Sequence, residues 1–491
     1  MTFKEYIFES FINIVVFDFE YSQTPGNNPN PVCCTFKELK SGKQETHWYL
    51  GETPDWPYDN SNTLWICHNA VAEVSCMLEL GLERPDFVWD TMIQDMKLQR
   101  GIENRFNLLA CCERFGIETI TEAQKNMFRD MIIDNYPNYS KEQQHKIKEY
   151  NVSDVIENEK LFLGQVALFG KRQPVFKTTL SQAIFHGAAQ AVIARIERNG
   201  IPLNYELYDD MEKYFPQIKA QEIEELKKVA DIYVGDKWNN KKFAVFLNKL
   251  GLLRNWPRTK TGQPAQDDRT LYRYSSTYPI IQQIREAKFI IGAKNLKGYC
   301  VGKDKRSRAP LKLFGQITGR TNVSTAINPF GAPRRMRNII GTSKDKLIVY
   351  ADWKSQEVVI QGALSKDQNI KAAIATGDPY LFTAKKAKAI PQDAIRKDYE
   401  TERELYKQTY LAIGYGQTAI GLKAKLDISE SEASYLLSNL KRIYPTYFKW
   451  IDGHIKFSVA RGFFETKYGW RFYVSDKEKM NGRIGVFEPR S

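Results

Sequence analysis

The chain has 491 residues, 42% of them hydrophobic and 26% charged, which predicts an ordinary globular protein of two to four domains, each with its own core. No run resembles a membrane span, so a membrane-embedded function is excluded. The formal net charge of +13 is unevenly placed: residues 1–160 hold 15 Lys/Arg against 26 Asp/Glu, whereas Arg285–Lys346 holds 15 against 3. A basic stretch of that density predicts a surface that follows a phosphate backbone, although a solvated basic face would look the same by charge alone.

The N-terminal stretch MTFKEYIFESFINIVVF carries Glu5 and Glu9 and no small-residue cleavage site, so it reads as the lead-in to a buried strand, not a signal peptide. Residues 12–20 (INIVVFDFE) are that strand, and residues 64–68 and 87–89 are two more. Helical patterns over 70–80, 107–115 and 122–135 complete an α/β domain that ends near residue 165. A helix over 182–197, a turn at Asn199-Gly200-Ile201-Pro202 and a long charged amphipathic pattern over 206–234 follow. WPRTKTGQPAQDD (256–268) is a loop, and KLIVYAD (346–352) reads as a buried strand that stops on an acid. Helices dominate residues 357–444, and KYGWRFYV (467–474) returns to strand or hairpin. The seven cysteines include the adjacent pairs Cys33/Cys34 and Cys111/Cys112 and no CxxC. With five scattered histidines they form neither a disulfide framework nor a zinc site, and a reducing cytoplasm is expected.

Two sets of residues carry chemistry. In KLIVYADWKSQE the strand delivers Asp352 to its tip, a rigid place to hold a divalent metal. Alone, such an Asp reads more readily as a cap or turn residue. Arg403, Lys407, Leu411 and Tyr415 recur every four residues, so on a helix they form one slowly drifting stripe that ends at Gly416. Two cations followed by an apolar and an aromatic residue suit a nucleotide lying along the helix, phosphates first. In the N-terminal domain Asp18 and Glu20 alternate onto one face of a strand. Asn69/Glu73 and Tyr150/Asp154 are spaced by four and present neighbouring groups on helices. Four carboxylates and a tyrosine could bind two metals and activate a water for phosphodiester hydrolysis.

These motifs, in this order, resemble a family A (DNA polymerase I-like) DNA polymerase, most similar to those of bacteriophages, over roughly residues 180–475. The resemblance makes Asp352 a metal ligand, places Gln356 at the nucleotide, and makes Glu357 the glutamate that crowds the sugar 2′ position. Arg403, Lys407, Leu411, Tyr415 and Gly416 become the triphosphate-binding helix motif, with Leu411 where many relatives have Phe or Tyr. Thr318, Gly319 and Arg320, continued by Asn328, Arg334, Arg335 and Arg337, resemble the primer–template contact segment. Asp18, Glu20, Glu73, Tyr150 and Asp154 resemble the DEDDy class of 3′→5′ exonucleases, Glu73 standing where that class usually has Asp. Asp90, in WDTM, is expected to give structural support. The implied fold is α/β and α+β multidomain. It combines an RNase H-like exonuclease domain (1–165) with an incomplete right-hand polymerase: thumb and connecting helices (166–312), palm (313–365), fingers (366–445) and the start of a return to palm (446–491). The implied cofactor is Mg2+ in two-metal sites, with Mn2+ able to substitute. The implied partners are primer–template DNA and deoxynucleoside triphosphates, in a bacterial or phage-infected cytoplasm.

The family's second palm carboxylate, in a His-Asp-Glu motif, has no counterpart here, since Asp452-Gly453-His454 has the wrong order and lies in a helical pattern. Either a separate polypeptide supplies the last palm strands, or the chain is a relic that binds DNA and keeps only the exonuclease. A non-catalytic DNA-binding scaffold is the third reading; it leaves both carboxylate sets unexplained.

Overall fold

The computed structural model describes the chain except residues 51–57, 173–174, 260, 276, 293–295, 317–318, 326–327, 332–333, 343–344, 427, 468 and 475–491, with side chains also undescribed at 269, 296–297 and 334–336. It divides into two compact units, one of residues 1–98 and 103–348, the other of residues 99–102 and 349–491.

The first unit opens with α1 (Phe3–Ser10), which starts at a Thr2 capping box. A five-stranded sheet follows, built from β1 (Asn13–Ser22), β2 (Asn30–Glu38), β3 (Gln44–Trp48), β4 (Thr63–Cys67) and β5 (Phe87–Asp90) in the order β3-β2-β1-β4-β5. β1 is antiparallel to β2 and parallel to β4, and β4 is parallel to β5. Between and after the strands come α2 (Ala70–Glu79), α3 (Thr91–Gln99), α4 (Leu108–Arg114), α5 (Glu122–Asn135), α6 (Lys141–Arg172) and α7 (Phe176–Asn199). The predicted strands and helices of this region are therefore present. α6 runs unbroken through residue 165.

Side-chain alternation along β1 decides where its acids point. Val15, Phe17 and Phe19 pack with Val74 and Met77 of α2 and Ala191 of α7. Ile14 and Val16 instead pack with Phe162, Val166 and Phe169 of α6. Asp18 and Glu20 share the parity of Ile14 and Val16, so they extend from the face that α6 covers. β1 pairs with β4 only through residues 13–16, which leaves its last residues flanked by β2 alone on that path, and the register slips between Glu20 and Tyr21. A bulge beside a functional group is a common way to re-aim a side chain.

Later in the unit, α8 (Tyr205–Val229), α9 (Asn240–Lys249), α10 (Asp268–Ser275) and α11 (Pro279–Gly292) surround a core of Leu226, Phe243, Trp256 and Ile284. The amphipathic pattern predicted to run to 234 ends at Val229, and Tyr233–Val234 turns back on Lys237–Trp238 as a short hairpin.

The second unit is built from α12 (Gln356–Ser365), α13 (Gln368–Ala375), α14 (Pro379–Lys386), α15 (Glu400–Gly414), α16 (Ala419–Leu426), α17 (Glu430–Ile443) and α18 (Pro445–Arg461). Asp367 ties α13 to α18. Its Oδ1 accepts from the amides of Asn369 and Ile370 at 2.9 and 3.1 Å, and its Oδ2 from the amide of Tyr447 in α18 at 3.0 Å. The predicted hairpin near 467–474 is formed by Phe463–Glu465 against Arg471–Tyr473.

One element departs from expectation. Residues 346–352 are not a buried strand: they have no regular structure, and Leu347, Val349 and Tyr350 are 92%, 87% and 89% exposed. β-propensity describes fit to a neighbouring strand and a packed face. Among the described residues no strand pairs with this run, so an apolar, β-branched sequence lies open to solvent.

Candidate functional site

The N-terminal constellation comes together at the last residues of β1. Asp18, Glu20 and, from α6, Asp154 place one carboxylate oxygen each within 4.8 Å of one another. At an effective dielectric near 20, unit charges that close repel by about 3 kcal/mol or more per pair. Burial, then the charge of Asp154, pushes the Asp18 carboxyl well above the ordinary range; burial, then Asp18, does the same to Glu20. Three side chains hold the group in place. Asn151, one turn before Asp154, donates to Asp18 Oδ2 at 2.9 Å and to its carbonyl at 3.0 Å. Lys125 of α5 pairs with Asp154 Oδ2 at 2.7 Å. Tyr150 is buried on the same helix, stacked on Phe128 with ring centroids 4.7 Å apart. Burial and the charges of Glu20, Asp154 and Asp18 keep its phenol protonated.

Glu73 stands apart. It projects from α2, on the far side of the sheet from α6, and its Oε2 accepts from the Phe19 amide at 2.7 Å. Burial, followed by the charge of Asp18, raises its pKa. The structure therefore unites Asp18, Glu20 and Asp154, with Tyr150 one helical turn away, and leaves Glu73 bonded to the β1 backbone. Asn69 is not helical: it precedes α2 in a left-handed conformation with φ 69°. Asp90 holds it there, as Asp90 Oδ1 and Oδ2 accept from the amides of Asn69 and Ala70 at 3.3 and 2.8 Å.

The carboxylate group suits a hard divalent cation, which prefers oxygen ligands. Asp154 Oδ1 is buried and makes no hydrogen bond, an arrangement that costs free energy unless a cation or a donor meets it.

The second constellation lies on α15. Arg403 Nε pairs with Asp378 Oδ2 at 2.6 Å, and its guanidinium sits 5.6 Å over the Tyr380 ring. Asp378 also caps α14 by accepting from the Leu381 amide at 3.1 Å, so the cation is held by a rigid helix start. Lys407 follows one turn on, 3.2 Å from Glu404, then Leu411, and Tyr415 closes the helix as its C-cap. The Tyr415 hydroxyl donates to Glu357 Oε1 at 3.4 Å, joining the end of the stripe to the first turn of α12. Gly416 has φ +83°, a backbone conformation that favours glycine. At Gly414 a methyl group would stand 2.7 Å from Gln361 Nε2, so the absent side chain admits α12 to this end of α15.

Asp352 is exposed, and so is Gln356. Among the described residues no cluster of metal-ligating side chains forms around Asp352. The polymer-contact candidates divide. Thr318 lies outside the described residues. Gly319 (φ +81°) and the exposed Arg320 form the turn between Leu311–Lys312 and Asn322–Val323. Asn328 uses both ends of its amide locally, donating to the Thr325 carbonyl and accepting from the Gly331 amide, each at 2.9 Å. Arg334, Arg335 and Arg337 share the single 3-10 segment Arg334–Ile339.

Sequence reasoning missed Lys125, Asn151 and Asp378. Asn151 shares the helical face of Asp154 at i−3, and Asp378-Pro379 is a helix-start signature, so both had a local signal. Lys125 had none, because it reaches the acids from a separate helix.

Residues 210–490 match the family model described as DNA polymerase family A. The chain is 24% identical over 316 residues to DNA polymerase I of Chloroflexus aurantiacus, which covers 60% of this chain and 33% of that protein. It is 23% identical over 306 residues to the thermostable DNA polymerase I of Thermus thermophilus, covering 60% of this chain and 36% of that protein. The chain thus matches about a third of the length of these relatives. Its fold is similar to that of the POL domain of Pol1 from M. smegmatis, solved in complex with DNA primer-template and dNTP, with a TM-score of 0.69 and 17% identity over 96% of this chain and 80% of that one.

Proposed function

The chain belongs to DNA polymerase family A, and from that membership we propose that it adds deoxynucleotides to a primer 3′ end on a DNA template and removes them through a 3′→5′ exonuclease in its N-terminal domain. The observation that carries the synthetic half is the α15 stripe. Arg403 is oriented by Asp378, Lys407 follows on the same face, and Tyr415 is bonded to Glu357. In this reading the two cations receive the triphosphate, while Glu357 and Tyr415 bound the sugar. Arg320 and the Arg334–Ile339 segment would follow the primer–template backbone.

For the exonuclease half, Asp18, Glu20 and Asp154 would hold Mg2+, which supplies charge neutralisation and a more acidic bound water. Asn151 fixes the orientation of Asp18. Tyr150, kept protonated, offers its hydroxyl to orient the attacking water. In the synthetic half Asp352 would supply one carboxylate to a metal site. We propose further that the polymerase is of the bacteriophage type and that a separate polypeptide brings the His-Asp-Glu carboxylate. The exposure of Val349, Tyr350 and Trp353 (87%, 89% and 80%) supports it, since large apolar side chains beside a site mark an unfilled contact.

Primer extension and primer degradation by the full chain, with and without that polypeptide, test the reading. Expected are degradation by the chain alone, abolished by Asp18→Ala, and extension only with the partner, with Arg403→Ala raising KM for the nucleotide more than tenfold. Degradation that survives Asp18→Ala overturns the exonuclease. Absence of extension under both conditions, with degradation intact, reduces the chain to a DNA-binding exonuclease.

A further inference from the structure

The second unit carries a concentration of cations that neither proposed activity uses. Residues 379–392 hold Lys385, Lys386 and Lys388 and no acid, and residues 433–447 hold Lys441 and Arg442 and no acid. The two segments pack together. The buried hydroxyls of Thr383 and Tyr444 are hydrogen-bonded at 2.6 Å, and Arg442 Nη2 donates to the Lys386 carbonyl at 3.4 Å and to Asn439 Oδ1 at 3.2 Å. The last turns of α14 and α17 are thereby brought side by side. Lys386, Lys388, Lys441 and Arg442 are exposed. Among the described residues none of the five cations has an acidic partner, whereas Arg403, Lys407 and Lys423 of the same unit each have one.

A cation at a helix C-terminus complements the helix dipole. Five unpaired cations at two adjacent ends repel one another and exceed that need. An open aromatic ring lies in line with them: Tyr435 is 61% exposed and, seven residues before Arg442, shares its face of α17. Fixed cations beside an open ring suit a polymer whose phosphates and unstacked bases are both accessible, a single-stranded polynucleotide. α14 sets where this surface lies. It starts at Asp378, which orients Arg403 at 2.6 Å, and its eight residues rise by about 12 Å to the cationic end. A template strand is unpaired immediately ahead of the nucleotide being added, so it is the strand at hand there.

We propose that the surface formed by the C-terminal ends of α14 and α17 binds the unpaired template strand, with Lys386, Lys388 and Arg442 on phosphates and Tyr435 stacked on a base. The identity of the strand rests on the polymerase reading. The surface itself is separate from the α15 stripe and from the Arg320 segment, and its test reads binding without turnover.

The experiment is an anisotropy titration of the full chain, without divalent cation so that the primer is not degraded. The labelled primer–template has a 5′ template overhang of about 2 or about 12 nucleotides, the longer one spanning the usual size of a single-strand site. The long overhang is expected to bind about fivefold or more tightly at low salt, with a slope of log K on log salt steeper by about 2, as for three phosphates at roughly 0.7 each. The Lys386→Gln, Lys388→Gln, Arg442→Gln triple variant should lose both increments and bind the short overhang as the parent does, whereas Lys386→Arg, Arg442→Lys should keep them. Tyr435→Leu should weaken the long overhang about fivefold and leave the slope unchanged. Removing two exposed charges from the first unit in Lys4→Gln, Lys171→Gln should change neither. Circular dichroism checks folding, and Tyr435→Leu with the single Lys388→Gln carries the test if the triple variant does not fold. An affinity independent of overhang length, or an increment that survives the triple variant, overturns the inference. So does a preference for a displaced 5′ flap, or for a polyglutamate peptide, over the template overhang. Primer extension with the partner polypeptide is measured on the same preparation. An overhang increment without extension supports the surface and rejects the synthetic reading; extension without an increment does the reverse.

Discussion

Asp90 accepts from the amides of Asn69, Ala70 and Ile93 at 3.3, 2.8 and 3.1 Å while wholly buried at the end of β5. Gln190 of α7 adds a longer contact at 3.4 Å. Asn69 can then sit in its left-handed conformation, because the strain of a positive φ is offset by two charge-assisted bonds at the start of α2. The same start sets where Glu73 emerges, one turn further on. Removing the carboxylate in Asp90→Ala strands three buried donors, each costing about 1 kcal/mol or more. We expect Asp90→Ala to destabilise the first unit by about 3 kcal/mol, and Asp90→Asn by about half that, since one acceptor remains. Urea denaturation followed by tryptophan fluorescence measures both, and equal losses in the two variants would contradict the hydrogen-bond account. A supporting role for Asp90 is expected from the sequence, in WDTM. That it fixes the backbone of the residue before α2 is not, since spacing alone made Asn69 and Glu73 look like helical neighbours.

At the scale of elements, agreement with the sequence follows how local the cause is. β1, β4 and β5 are short apolar runs that find partners within the same domain, and α5 and its Thr121 capping box are written in consecutive residues. Residues 346–352 have an equally strong strand pattern, yet a strand is completed only by another strand, and the described residues do not supply one. The α15 stripe was readable from its four-residue spacing, but Asp378 lies 25 residues before Arg403, and no periodicity connects them. Close approach between elements is likewise hidden in the sequence. Gly187 in the middle of α7 faces the Val88 carbonyl of β5, and a methyl group there would stand 2.0 Å from that oxygen. A backbone carbonyl in a paired strand cannot step aside as a flexible side chain would. Gly187→Ala should therefore separate α7 from β5 and cost about 2 kcal/mol or more, despite the better helix propensity of alanine. A thermal-unfolding scan decides the sign, and a stabilised variant would mean that the helix shifts freely over the sheet.

At the scale of the whole molecule, the charge map separates the two proposed activities. The carboxylate centre lies in the acidic first third, where 26 acids face 15 bases, and the basic run Arg285–Lys346 lies downstream in the same unit. Not every base in that run is available to a ligand. Arg285 is bonded to Asp268 at 2.7 and 3.1 Å. Arg308 is held by Asp304 and by the Gly26 and Arg198 carbonyls, and Arg306 by the Asn199 and Gly200 carbonyls. These three work within the fold. Lys312 and Arg320 are solvent-exposed at the hairpin of the predicted contact segment. Each phosphate neutralised on a duplex releases counterions, steepening the dependence of log K on log salt by about 0.9. The Lys312→Ala, Arg320→Ala double variant should therefore weaken duplex binding at low salt and make the salt slope shallower by about 2. Arg308→Ala should lower thermal stability and leave the slope unchanged, because its charge is already paired. Fluorescence anisotropy with a labelled primer–template between 50 and 300 mM salt, roughly the range in which such slopes are resolved, distinguishes the two. A slope that falls equally in both variants would show that the basic run acts as an undivided cloud of charge, and that the hairpin has no special place in it.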